Sequence, residues 1–159
     1  MERSPFTRNL VRVLRLWLIF RERGVWLMYK VVIADDRKMI RAGLHMLLES
    51  CGSYTVAGEA SDGNEAVLQS LALVPDLLLT DLKMPGQCII EGVRILKERL
   101  PNIKIIILTA FDESEDIYRA CKAGVDGYLM KDTCPETILT TIHEVMKGTS
   151  MFQPKENLL

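Results

Sequence analysis

The sequence predicts an α/β protein built on a five-stranded parallel sheet with helices on both faces. Five short apolar runs alternate with five stretches whose apolar residues recur at helical spacing. Polar or turn-forming residues bound each run, as is typical of strands that are buried on both faces. Parallel strands need crossover connections, and the alternation supplies a helix after each strand. A chain of 159 residues is long enough for one such domain with a full core.

Three strands and three helices are predicted before residue 101. The predicted strands are the runs 30–34, 54–60 and 76–80. The first helix carries an apolar stripe from Ile40 to Cys51 and ends at Gly52. The second helix begins at Asp62, a residue type favoured at N-caps, and the third ends before Pro101.

The remaining two strands are predicted over 103–108, a run rich in β-branched residues, and over 126–130. A helix over 112–123 lies between them. The last helix is predicted to open at Thr133, because Thr133 and Glu136 have the spacing of a capping box.

The domain is expected over residues 29–150, with an extension at 1–28 and a tail or the start of a linker at 151–159. The extension contains six arginines and two glutamates. It is either a basic amphipathic helix that lies on a membrane or a partner, or an upstream segment without a function, with Met28 as the natural start. Its longest apolar run is too short for a membrane span, and no signal-peptide cleavage site follows.

Composition argues against two classes of site. Residues 30–159 contain fourteen basic and nineteen acidic residues, which disfavours nucleic-acid binding through phosphate neutralisation. The four cysteines lie far apart without a CxxC pair, which predicts reduced and mostly packed thiols instead of a zinc or redox site. His45 and His143 are single histidines on predicted helices, and neither is expected to be a catalytic base or a ligand.

Polar side chains collect at the carboxyl ends of four predicted strands, which is the edge where open parallel sheets bind ligands. They are Asp35 and Asp36 after the first strand, Asp81 after the third, Thr109 after the fourth and Lys131 after the fifth. Clustered carboxylates repel one another by about 4 kcal/mol for each close pair, so this cluster requires a cation. Hard oxygen ligands of this kind favour Mg²⁺.

The same residues predict phosphoryl chemistry at Asp81. The first strand–helix turn lacks the glycines of a phosphate-binding loop, so a nucleotide site is not expected. With a metal present, the Asp81 carboxylate can attack phosphorus and form an aspartyl phosphate. Lys131 and Thr109 would stabilise the phosphoryl oxygens by charge and hydrogen bonding. Lys83 stands where aspartyl-phosphate phosphatases carry a general-acid aspartate, which favours a stored phosphoryl group over rapid turnover.

Four motifs carry a family resemblance: the pair Asp35-Asp36 and the runs 81–86 (DLKMPG), 108–110 (LTA) and 127–132 (GYLMKD). In this order and spacing they resemble the receiver (CheY-like) domain of bacterial two-component response regulators, over about residues 29–150. The last motif is similar to the subfamily with a LuxR-type helix-turn-helix output domain. The resemblance implies a doubly wound, flavodoxin-like (βα)5 fold with strand order 2-1-3-4-5.

The resemblance also implies a phosphoacceptor and its metal site. A partner histidine kinase would transfer a phosphoryl group to Asp81, and the chain would modify itself without being a turnover enzyme. Asp36 and Asp81 would bind Mg²⁺ directly, Asp35 would act through water, and the Lys83 backbone carbonyl would complete the set.

Further roles follow from the same resemblance. Lys131 and Thr109 would be the catalytic residues, and Thr109 and Tyr128 would move to switch an output or dimer surface. We expect a cytoplasmic protein that forms a homodimer and controls transcription. DNA would be bound only by an output domain beyond Leu159.

One stretch departs from the family pattern. After the proline and glycine of the 81–86 motif the family usually continues with a pair such as Asp-Gly, where this sequence has Cys88-Ile89. If the loop needs a positive φ there, the lost glycine would strain it by roughly 1–2 kcal/mol. That departure motivates an alternative function, a pseudo-receiver that binds partners without being phosphorylated. A magnesium-dependent phosphatase is a third reading, which Lys83 disfavours.

Overall fold

A computed structural model describes residues 28–110 and 113–152 of the chain. Within these ranges the chain forms a parallel sheet with the strand order β2-β1-β3-β4-β5-β6. The predicted parallel sheet and the order 2-1-3-4-5 are confirmed. The strands are β1 (Tyr29–Ala34), β2 (Tyr54–Ala60), β3 (Leu77–Thr80), β4 (Lys104–Thr109), β5 (Gly127–Met130) and β6 (Met151–Phe152).

The prediction of a five-stranded sheet is wrong by one strand, because β6 extends the sheet beyond β5. Gly127 lies opposite Met151, and Tyr128 lies opposite Phe152, in a parallel pairing. These two residues belong to the stretch 151–159 that we predicted as a tail or linker. A strand of two residues has no periodicity that the sequence alone can reveal.

Five helices within the described ranges cover the two faces of the sheet. They are α1 (Lys38–Ser50), α2 (Gly63–Leu73), α3 (Ile89–Arg99), α4 (Ser114–Ala123) and α5 (Pro135–Met146). Val31 and Ile33 pack with α1 and α5 on one face, whereas Val32 and Ala34 pack with α2, α3 and α4 on the other. Successive strand residues point to opposite faces, so both faces are buried and the strands read as uninterrupted apolar runs.

Two predicted helix starts have different outcomes. Asp62 caps α2 as predicted, because its side chain accepts a hydrogen bond from the Glu65 amide at 2.8 Å. The capping box predicted for α5 is wrong: Cys134 is the N-cap residue, Pro135 is the first helical residue, and no side chain caps this end. Proline has a φ suited to the first helical position. The helix therefore begins at Pro135 and is not capped by Thr133.

The remaining expectations concern the cysteines and the extension. All four cysteines are free thiols, but they are exposed instead of packed. Residues 1–27 lie outside the described ranges, so both alternatives for the extension stay predictions. Among the helices that the structure describes, none is long and apolar enough to cross a membrane.

Candidate functional site

The strand register brings the predicted site residues to one edge of the sheet. Ala34 is paired with Thr80 at the ends of β1 and β3, so Asp35 and Asp81 leave the sheet side by side. The Asp81 amide donates to the Ala34 carbonyl at 2.7 Å, which extends this ladder by one residue. The edge is therefore built by backbone pairing, before any contact between the acidic side chains.

The three aspartates form an acidic cluster. One carboxylate oxygen from each of Asp35, Asp36 and Asp81 lies within 4.8 Å of the others. Asp35 and Asp81 are buried, whereas Asp36 is exposed to solvent. Oxygen-only donors on a rigid edge with one side open to water fit a hard divalent cation such as Mg²⁺. This cluster therefore has the donor chemistry that the sequence predicts.

Lys131 binds two of the three carboxylates. Its Nζ lies 2.5 Å from Asp35 Oδ2 and 3.0 Å from Asp81 Oδ2. The side chains of Lys131, Asp35 and Asp81 are only 9%, 2% and 8% exposed, so these ion pairs are screened little by solvent. The Lys131 amide donates to the Thr109 carbonyl at 2.8 Å, which fixes the lysine to the end of β4.

Backbone amides fix the orientation of both buried carboxylates. The Leu82 amide donates to Asp81 Oδ1 at 2.7 Å, and the Arg37 amide donates to Asp35 Oδ1 at 2.9 Å. In each carboxylate, Oδ1 is therefore held by an amide of the following turn and Oδ2 by Lys131. Two backbone amides and one ammonium group therefore fix the four carboxylate oxygens of Asp35 and Asp81.

The two predicted switch residues are both buried. Thr109 is fully buried at the end of β4, and Tyr128 is 3% exposed in the core beneath α2, α3 and α4. Thr109 is paired with Met130 in the β4–β5 ladder, so it lies beside the strand that delivers Lys131. Their predicted movements are not tested by a single conformation and stay predictions.

Lys83 directs its side chain to the start of α4. Its Nζ lies 2.7 Å from Glu113 Oε1 and 3.8 Å from Asp116 Oδ2. The hydrogen bond with Glu113 is the main reason that the pKa of Lys83 is raised. The predicted role of its backbone carbonyl as a metal ligand stays a prediction.

The loop after Asp81 does not carry the strain that the Cys88-Ile89 departure suggested. Cys88 has φ −57° as the N-cap residue of α3, and Ile89, at the position of the family glycine, is the first residue of that helix, so neither residue has a positive φ. The positive φ of this loop, +84°, falls on Gly86, which is a glycine. Two hydrogen bonds tie the loop to α2: the Gly63 amide to the Pro85 carbonyl at 3.0 Å, and the Gln87 amide to the Asn64 side chain at 3.3 Å.

The sequence prediction missed a set of charged residues behind the acidic pair. Arg41 Nη1 donates to the Asp35 carbonyl at 2.8 Å, and Arg41 Nε donates to Glu59 Oε2 at 3.1 Å. His45, which was not expected to be a catalytic base or a ligand, lies 3.0 Å from Glu59 and 3.1 Å from Glu49. The spacing of Arg41, His45 and Glu49 along one helix face was visible in the sequence, but the approach of Glu59 was not.

Comparison with known proteins assigns the family. Residues 31–143 match the family described as "Response regulator receiver domain". The "Response regulator protein VraR" of Staphylococcus aureus is 37% identical over 126 residues, which cover 79% of this chain and 60% of VraR. The chain thus spans less than two thirds of the length of this relative.

Solved structures agree with that match. The signal receiver domain of the putative response regulator NarL from Mycobacterium tuberculosis has a TM-score of 0.73 and 30% identity, over 76% of this chain and 98% of that one. A LuxR-family two-component response regulator from Aurantimonas sp. SI85-9A1 has a TM-score of 0.75 and 28% identity, over 80% and 91% of the two chains. The isolated receiver domain of RcsB from Salmonella enterica serovar Typhimurium has a TM-score of 0.73 and 25% identity, over 80% and 94%. The chain therefore belongs to the family of response regulator receiver domains of two-component systems, and its relatives within that family include LuxR-family regulators.

Proposed function

We propose that this chain is the phosphoacceptor receiver of a response regulator and takes a phosphoryl group from a partner histidine kinase onto Asp81. One observation carries the proposal: the Asp81 carboxylate lies 3.0 Å from Lys131 Nζ and shares one edge with Asp35 and Asp36. A buried carboxylate beside a buried ammonium and two further acids has the charge pattern that phosphoryl transfer to an aspartate requires.

The transfer exchanges one bond to phosphorus for another. An Asp81 oxygen attacks the phosphorus of a phosphohistidine, the P–N bond breaks, and its electron pair stays on the imidazole nitrogen of the kinase. Lys131 Nζ, already beside Asp81 Oδ2, donates to the phosphoryl oxygens as charge develops on them. The Thr109 hydroxyl, at the end of β4, is the second donor.

Bound by Asp36, Asp81 and the Lys83 carbonyl, with Asp35 through water, Mg²⁺ would supply positive charge for the phosphoryl oxygens. The net negative charge of three aspartates and one lysine supports this assignment, because a second cation is needed before a phosphoryl group can approach.

We further propose that the chain stores the phosphoryl group and is not a turnover enzyme. The position two residues after Asp81 is occupied by Lys83, whose Nζ is bound by Glu113 and Asp116. A lysine held in this way does not deliver a proton to a leaving group or orient an attacking water at Asp81.

The output is proposed from the relatives. Similarity to LuxR-family regulators, one of them a DNA-binding response regulator, supports control of transcription through a separate DNA-binding domain. A cytoplasmic location and a homodimer are part of the same proposal. The acidic charge of residues 30–159 is consistent with a chain that does not itself bind DNA.

The test is modification of Asp81 by a small phosphodonor. With acetyl phosphate and Mg²⁺ we expect one phosphoryl group per chain by intact-protein mass spectrometry, and none with the metal chelated. Asp81→Asn should abolish the modification, and Asp132→Asn, an exposed acid at the same edge, should leave it intact. Equal modification of Asp81→Asn and the wild-type chain would refute the proposal.

The same experiment separates the alternatives. A pseudo-receiver would show no Mg²⁺-dependent modification, and the negative φ values of Cys88 and Ile89 weaken the case for it, because the loop is not strained at its Cys88-Ile89 departure. A phosphatase would release phosphate steadily from an added phosphoester. We expect neither result.

A further inference from the structure

A continuous chain of polar contacts runs from the surface of α1 to the backbone of the acidic pair. Glu49 contacts His45 Nε2 at 3.1 Å, and His45 Nδ1 contacts Glu59 Oε1 at 3.0 Å. Glu59 Oε2 accepts from Arg41 Nε at 3.1 Å, and Arg41 Nη1 donates to the Asp35 carbonyl at 2.8 Å. None of these residues belongs to the acidic cluster, yet the series of contacts ends on the backbone of Asp35.

The contact of Arg41 with Asp35 is made to the backbone and not to the carboxylate. The Asp35 carbonyl belongs to the peptide group that joins Asp35 to Asp36, so its orientation determines where the Asp36 side chain begins. Arg41 is a planar donor whose Nε and Nη groups have a fixed relative geometry. With Nε held by Glu59, the direction of the donor that reaches the peptide is fixed too. The Arg41 side chain is only 16% exposed, so water competes little for these bonds.

Glu59 is itself held from three sides. His45 and Arg41 bind its two carboxylate oxygens, and Gln69 Nε2 donates to its backbone carbonyl at 2.6 Å. Because Glu59 is fixed by these contacts, it determines the orientation of the Arg41 side chain. Groups that orient metal ligands are usually held in place by further hydrogen bonds. Here Glu59 holds Arg41, and Arg41 holds the peptide that carries the proposed ligand Asp36.

We propose that Arg41 is a positioning residue that fixes the Asp35–Asp36 peptide for Mg²⁺ binding, and that Glu59 acts through Arg41. This inference rests on the proposed function, because it assigns a role toward the metal that the acidic cluster would hold. Arg41 contacts the Asp35 carbonyl and the Glu59 carboxylate and is not one of the groups proposed to hold the metal or the phosphoryl group. Its removal should therefore weaken the affinity of the site without changing the identity of the phosphoacceptor.

Calorimetric titration of the full chain with Mg²⁺ tests the inference. Arg41→Met removes both donors and keeps the apolar stem, and the Kd for Mg²⁺ should rise by about tenfold, as for other groups that support metal ligands. Arg41→Lys keeps one donor and should lie between Arg41→Met and the wild-type chain. Arg94→Met is the matched control, since Arg94 pairs with Glu91 on the exposed face of α3 and should leave the Kd unchanged.

A double-variant cycle tests the part assigned to Glu59. Glu59→Ala should raise the Kd by less than Arg41→Met does, and the double variant should bind Mg²⁺ no more weakly than Arg41→Met alone. Each variant is also unfolded by heat in metal-free buffer; if Arg41→Met lacks a cooperative transition, Arg41→Lys carries the test. A purely structural role would lower the unfolding temperature and leave the Kd unchanged.

The outcomes separate this inference from the proposed function. If the wild-type chain binds Mg²⁺ and Arg41→Met binds it equally well, the inference alone is overturned. If the double variant shows the product of the two single effects, the action of Glu59 through Arg41 is overturned. A wild-type chain that binds no Mg²⁺ and takes no phosphoryl group would overturn both.

Discussion

Replacing Lys131 with methionine isolates the cation that the acidic cluster contains. The ammonium group binds Asp35 at 2.5 Å and Asp81 at 3.0 Å, with all three side chains at most 9% exposed. Lys131→Met keeps most of the apolar stem and removes the charge. The two carboxylates then remain buried without a counter-ion, next to the third acid, Asp36.

Breaking a buried ion pair by removing one partner costs about 3–5 kcal/mol, because a charge is left buried and uncompensated. The burial of Lys131 and its partners justifies the use of this range, since solvent cannot replace the lost cation easily. With a urea m value of about 2 kcal/mol per molar for a domain of this size, the unfolding midpoint should fall by about 2 M. If the acidic cluster binds Mg²⁺ as proposed, saturating Mg²⁺ should recover part of this loss, because a ligand of the folded state stabilises that state.

The assay is urea unfolding followed by circular dichroism, in metal-free buffer and then in Mg²⁺. Lys83→Met is the matched control, because Lys83 also has two carboxylate partners but its side chain is 43% exposed. Surface pairs of this kind contribute little, so the midpoint of Lys83→Met should stay close to that of the wild-type chain. Equal losses of stability in Lys131→Met and Lys83→Met, or no recovery of Lys131→Met in Mg²⁺, would refute this prediction.

Three further predictions concern groups around the site. The hydrogen bond with Glu59 raises the pKa of His45 above 6.5, so its ion pairs stabilise the fold below pH 6.5 and are lost as the pH rises through the raised pKa. His45→Gln should therefore lower the unfolding temperature more at about pH 5.5 than at about pH 9, and equal losses would contradict this account. Gly86→Ala should destabilise the chain by about 1–2 kcal/mol in urea unfolding, because Gly86 has φ +84°; an unchanged midpoint would contradict it. Ile89→Gly, which restores a family glycine, should cost about 3–5 kcal/mol, because Ile89 is 1% exposed in the core; a gain in stability would show that the loop is strained after all.

The sequence was sufficient where the structure depends on local pattern and on strand ends. The apolar runs predicted β1 to β5, and the aspartates that follow the first and third runs predicted the acidic cluster, because parallel strands end at a shared edge. The sequence was insufficient where contacts between distant parts of the chain, or competing local signals, determine an element. β6 forms because Met151 and Phe152 meet the free edge of β5, and nothing local marks a strand of two residues. The helix start at Pro135 was missed because two valid local signals competed.

The contact between Glu59 and Arg41 shows most clearly why part of the site could not be predicted. Strict alternation along β2 from Val56, which lies on the α1 face, would direct Glu59 toward α2. The pairing of β1 with β2 shifts by one residue: Val31 is paired with Val56, but Val32 is paired with Gly58, so Ala57 has no partner. The shift turns Glu59 toward α1, where Arg41 and His45 lie.

The position of the shift has a steric reason that links the fold to the chemistry. Gly58 faces α2, and a Cβ at this position would lie 2.3 Å from Gln69 Oε1 and 2.7 Å from Leu73 Cδ1. The missing side chain lets α2 approach β2, and Gln69 then binds the Glu59 carbonyl at 2.6 Å. A glycine in a strand often marks such a shift, so Gly58 was the available signal. The direction of the Glu59 side chain therefore depends on how α2 packs against Gly58, on the opposite face of the sheet. Strand periodicity alone cannot predict a site residue of this kind.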